Sequence, residues 1–203
     1  MTNLFQAKKV RSNNIRPYQN ITPTIDESVY VDGAAVIIGD VHIGADSSVW
    51  PCAVIRGDVN HIRIGQRTSV QDSSVLHVTH KRDTLPDGWP LIIGDDVTIG
   101  HKVTLHGCTL GNRILVGIGT IILDGVTVED DVMIGAGTLV PPGKNLKSGY
   151  LYLGSPCQQA RPLSENEIAN LPYQAAHYVK VKNNYLLPEN GSITKRKRTI
   201  FKT

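Results

Sequence analysis

His77, His101 and His106 are the residues of this chain whose types and spacing point most directly to chemistry. A neutral imidazole nitrogen binds zinc-like divalent ions well, and three such nitrogens with one exchangeable position form the donor set of a catalytic zinc site. A lone surface histidine is ordinarily just solvated, so the argument rests on phase. His77 follows Leu76 and His106 follows Leu105 in the same way that Arg56 follows Ile55; His101 lies two residues after Ile99, as Asp72 lies two after Val70. These aliphatic residues belong to a repeat, and the repeat decides which side chains meet.

The repeat has a period of six: Val31, Ile37, Ile43, Val49 and Ile55, then Ile64, Val70 and Leu76, then Ile93, Ile99 and Leu105, and finally Leu110, Val116, Ile122, Val128, Ile134 and Val140. Glycine often follows the aliphatic residue, as at Gly65, Gly94 and Gly117, and a small or β-branched residue such as Ala53, Thr68 or Thr120 stands four positions after it. A helical period of 3.6 fits none of this. Short strands joined by glycine-tolerant corners do.

The pattern resembles the hexapeptide repeat of left-handed parallel β-helices, in which three hexads make one triangular coil with the aliphatic residue inside. The resemblance implies a mainly β fold with residues 28–155 as a left-handed β-helix domain, interrupted briefly near residues 59–63 and by a polar loop around 79–91. An open end of such a coil needs a cap. Ser164 with Glu167 three residues on reads as a capping box, so a C-terminal α-helical segment is predicted within 156–190, broken or kinked at Pro172 and with Lys180 and Lys182 facing outward. Residues 1–27 read as an N-terminal lead carrying Lys8, Lys9, Arg11 and Arg16 without an apolar secretory core, and 191–203 as a basic tail expected to be disordered.

Hexads three apart stack in successive coils, about 4.8 Å from one another. With each interruption taken as a loop within a hexad, Arg56, His77 and His106 share one edge of the prism, while Asp72 and His101, with Gln71 beside them, share another. One chain cannot bring all three imidazoles to one ion, but three prisms around an axis can. A homotrimer with metal sites between subunits is therefore expected.

The segments Arg56-Gly57-Asp58, Val70-Gln71-Asp72, Leu76-His77, Gly100-His101 and Leu105-His106-Gly107 resemble the signature of γ-class carbonic anhydrases. That resemblance implies Zn(II), with Fe(II) or Co(II) as alternatives, held by His77, His101 and His106. It also implies CO2 hydration to bicarbonate by a metal-bound hydroxide, since such an ion lowers the pKa of its water from about 15.7 to about 7. Gln71 would position hydroxide or CO2; Arg56 and Asp58 would shape the interface and assist product handling. Arg56 and Asp72 would form an interface salt bridge, and Tyr178 would enter the site from the C-terminal helix. The loop Val78 to Asp83 has no glutamate to shuttle protons; His80 is the candidate there. Competing readings are a hexapeptide acyltransferase, a metal-dependent thioesterase and a non-catalytic metal-stabilised trimer.

Composition narrows the alternatives. The 203 residues accommodate one sizeable core. Cys52, Cys108 and Cys157 form no CxxC pair, which fits a reducing cytosol rather than a disulfide framework and makes the expected location cytoplasmic. No apolar stretch is long enough to span a bilayer. The net charge of +3, with its dense basic run confined to Lys195 to Arg198, does not point to nucleic acid.

Overall fold

The computed structural model describes residues 14–187. Lys8, Lys9, Arg11 and the basic tail at 191–203 lie outside the described residues. Among the described residues the chain winds as a left-handed parallel β-solenoid of about eight turns, followed by one α-helix, Glu165–Leu186.

Three columns of inward aliphatic residues hold the coils together. Ile37, Ile55, Leu76, Leu105, Ile122 and Val140 are successive register partners along one face. Val31, Val49, Val70, Ile99, Val116 and Ile134 follow one another along the second. Ile43, Ile64, Ile93, Leu110, Val128 and Leu146 line the third. Nearly all of these side chains are removed from solvent. The six-residue period is therefore the physical register of the core: every third hexad returns to the same face.

The interruptions leave this register intact. Between the partner pairs Gly39↔Gly57 and Val41↔Ile62 the strand Val54–Ile64 carries extra residues, taken up as a bulge. The polar loop leaves the coil after Val78 and closes on itself through reciprocal backbone hydrogen bonds between Thr79 and Trp89 (2.9 and 3.1 Å). Leu76 and Leu105 consequently remain partners across the loop. Two short strands, Ile15–Arg16 and Thr24–Ile25, fall within the segment read as a lead and pair with Val36–Ile43.

At the other end, Tyr150–Leu153 pairs antiparallel with Gln158–Pro162, and Ser164 opens the helix with both halves of the capping box formed. The helix runs on through Pro172 without a break. The carbonyl that Pro172 leaves without an N–H partner belongs to Ile168, which is exposed, so water can replace the lost bond. The helix lies against the second face through an aromatic cluster of Tyr30, Trp50, Tyr178 and Tyr185. Lys182 does not face outward as helical patterning predicts. It is 1% exposed, and its Nζ donates to Ser28 O, Asp46 Oδ1 and Asn183 Oδ1, each at 2.8 Å. A buried ammonium is tolerated when its donors are met, and here the first coils supply acceptors that helix periodicity cannot foresee.

Candidate metal centre

His77 and His106 come together because the strands that precede them are register neighbours: Val75–His77 and Thr104–His106 pair in parallel with His106 opposite His77. Their rings meet with His77 Nδ1 3.1 Å from His106 Nε2. The remaining nitrogens face carboxylates. His77 Nε2 lies 3.0 Å from Asp58 Oδ1, and His106 Nδ1 lies 2.6 Å from Asp124 Oδ1. Arg56 Nη1 pairs with the other oxygen of Asp58.

Protonation follows from this arrangement. Burial raises the pKa of the Asp58 carboxyl, but hydrogen bonds to His77 and Arg56 outweigh it and hold the group below its usual range. Burial in turn holds His77 below the usual histidine range, against the opposing pull of Asp58. An ionised carboxylate only accepts hydrogen bonds, so the outer nitrogens of both rings carry N–H and donate. With its proton on Nε2, a neutral His77 turns the lone pair of Nδ1 toward His106 Nε2 across 3.1 Å. A divalent cation seated there would be met by two ring nitrogens. Two nitrogens bound at 2.0–2.1 Å to one tetrahedral ion lie about 3.3 Å apart, close to the separation seen, and carboxylate–histidine pairs are the usual support for metal-binding imidazoles. The donor set fits a divalent metal.

The third sequence-predicted histidine does not join this pair. His101 follows the strand Thr98–Ile99 on another corner, where its Nδ1 lies 2.9 Å from Asp72 Oδ2 and its side chain is 46% exposed. Among the described residues no three of His, Cys, Asp and Glu gather so as to hold an ion. Gln71, next to Asp72, is 4% exposed. Within the chain Arg56 pairs with Asp58 and Asp72 with His101. Tyr178 packs edge-on against Trp50, with ring centroids 6.3 Å apart. His80 is exposed on the loop.

Sequence reasoning missed Asp124 and Thr79. The signal was present: Ile122 is the register partner of Leu105, so Asp124, two residues later, belongs to the same corner as His106.

No protein-family profile matches the sequence. Among curated proteins, YrdA of Escherichia coli K12 is 61% identical over 175 residues, covering 86% of this chain and 95% of the relative. The probable carbonic anhydrase of Methanocaldococcus jannaschii is 47% identical over 157 residues, covering 77% of this chain and 94% of the relative. The mitochondrial gamma carbonic anhydrase 1 of Arabidopsis thaliana is 40% identical across 87% of this chain, which spans 64% of that longer protein. This chain belongs to the γ-class carbonic anhydrase family. The hexapeptide coil of that family is also seen in a solved structure from Bacillus cereus described as a putative acetyltransferase, which has a TM-score of 0.79 and 38% identity and covers 84% of this chain and 95% of that one. As for membranes, no helix among the described residues is long and apolar enough to cross one.

Proposed function

We propose that this protein interconverts CO2 and bicarbonate at a divalent metal shared between neighbouring subunits of a homotrimer. His77 and His106 of one subunit and His101 of the next would hold the ion. The observation that carries this reading is the convergence of two imidazole nitrogens at 3.1 Å, each ring steadied from behind by a carboxylate. A third imidazole waits, exposed, on a different corner.

Zn(II) suits the three-imidazole set, as do Fe(II) and Co(II). When bound, the ion supplies the Lewis acidity that brings water ionisation to near neutral pH. The protein's residues supply the rest. Asp58 and Asp124 hold the two rings in the ligating tautomer. Gln71, buried beside the His101 corner, orients CO2 through its side-chain amide. Arg56, fixed by Asp58, places positive charge where bicarbonate forms and leaves, and meets Asp72 of the adjoining subunit. His80, exposed at the loop, carries the released proton to bulk water. Tyr178, packed edge-on against Trp50, would reach the site from the C-terminal helix.

The transferase description of the Bacillus cereus neighbour offers a second reading, acyl transfer. A single histidine would serve that chemistry, leaving the paired rings and their two carboxylates without a role. The deciding experiment is CO2 hydration by anaerobically purified, metal-assayed protein beside His101→Ala. Hydration that scales with bound metal and vanishes in the variant is expected. Full metal occupancy without hydration would sink the carbonic anhydrase reading while leaving the site.

A further inference from the structure

Asp124 is tied at both oxygens. Oδ1 accepts from His106 Nδ1 at 2.6 Å, and Oδ2 accepts from Thr79 Oγ1 at 2.8 Å. Thr79 is no ordinary neighbour, because the polar loop departs and returns there. Its backbone exchanges hydrogen bonds with Trp89, and Asn60 Nδ2 donates to Thr79 O and Asp87 O at 3.1 and 2.8 Å. Space for the carboxylate exists only because the residue after His106 is glycine. A Cβ on Gly107, whose φ is +53°, would overlap Asp124 Oδ1 and the Cβ of Trp89. Loop base, carboxylate and imidazole therefore form one continuous contact.

We propose that Asp124 is a positioning residue for the metal, and that Thr79 makes the closed base of the loop the anchor of that positioning. The proposal rests on the metal reading given above. An imidazole has two nearly equivalent tautomers and a broad terminal torsion. Without a fixed acceptor at Nδ1, His106 could carry its proton on Nε2 and present N–H, which cannot ligate. Asp124 removes that freedom, and a carboxylate held at both oxygens cannot swing away. Removal of such outer partners typically costs about 10- to 100-fold in metal affinity.

The test is Co(II) titration of the full-length protein with a competing chelator, reading the dissociation constant and the ligand-field spectrum. Wild type, Asp124→Asn, Asp124→Ala and Thr79→Val are compared. Asp124→Ala is expected to bind about 10- to 100-fold more weakly with an altered spectrum, and Asp124→Asn and Thr79→Val to shift in the same direction by less. Loss of the His106 Nδ1–H resonance in side-chain nitrogen NMR of metal-free Asp124→Ala would mark the tautomer effect, which a merely structural role would not produce. Wild-type affinity and spectrum in Asp124→Ala, which removes the acceptor, would overturn the proposal. Wild type that takes up no Co(II) would overturn the metal reading itself, and that result is visible without any variant. Should an Asp124 variant fail to fold, Thr79→Val decides: unchanged affinity and spectrum refute the anchor, weakened binding supports it.

Discussion

His101 and Asp72 face each other across neighbouring coils at 2.9 Å, on a corner of the prism that carries neither His77 nor His106. Under the proposed function, each chain holds two parts of a ligand set that it cannot join. The proposed shared site predicts complementation. His101→Ala and His106→Ala homotrimers are each expected to lose metal, whereas trimers mixed from the two variants contain some boundaries with all three imidazoles intact. Metal content and hydration should reappear in the mixture. If mixing restores neither while wild type holds metal, the ligands are not divided between subunits.

The column beneath the site is a stability element. Leu105 is fully buried between Leu76 and Ile122, one residue before His106. Leu105→Ala leaves a cavity in a core that repeats rigidly above and below, so a loss of about 2–5 kcal/mol is expected. Chemical denaturation of metal-free protein measures it, and a change under about 1 kcal/mol would show that the coils collapse onto the gap.

Lys182 and Lys180 provide a matched pair on one helix. Lys182 Nζ meets three acceptors while 1% exposed, and Lys180 is exposed. Lys182→Met keeps the aliphatic length but removes the hydrogen bonds to Ser28 O and Asp46, predicting a loss of about 1 kcal/mol or more. Lys180→Met should stay within about 0.5 kcal/mol. Equal effects in urea unfolding would remove the case for a docking role of Lys182.

The helix cap should titrate. Glu167 accepts from Arg161, from the Ser164 backbone and from its hydroxyl, and these bonds lower its pKa from 4.5 to about 2. A carboxyl whose folded pKa is depressed contributes stability that is complete above the unfolded value and lost as pH falls through the folded one. Wild type should therefore lose stability relative to Glu167→Gln between pH 4.5 and about 2, the two converging at the acid end. A constant difference across that window would show that the charge on Glu167 does not matter.

The coil and the two histidine columns were legible in the amino-acid sequence because a solenoid turns counting into adjacency. With three hexads per coil, phase alone makes His77 the neighbour of His106 and Asp72 the neighbour of His101, and inserted loops do not disturb the count. The capping box was equally local, since Ser164 and Glu167 lie within one helical turn.

What the sequence could not supply were contacts set by reach rather than by phase. Lys182 is buried because acceptors on Ser28 and Asp46, far away in the chain, happen to close around its ammonium. Asp124 grips His106 because Gly107 leaves the gap between them open. Arg56 turns within its own chain to Asp58. Periodicity fixes where a Cα stands and which way its side chain starts; the partner that a long or ionised side chain selects depends on three-dimensional space and competing acceptors, which only the tertiary structure decides.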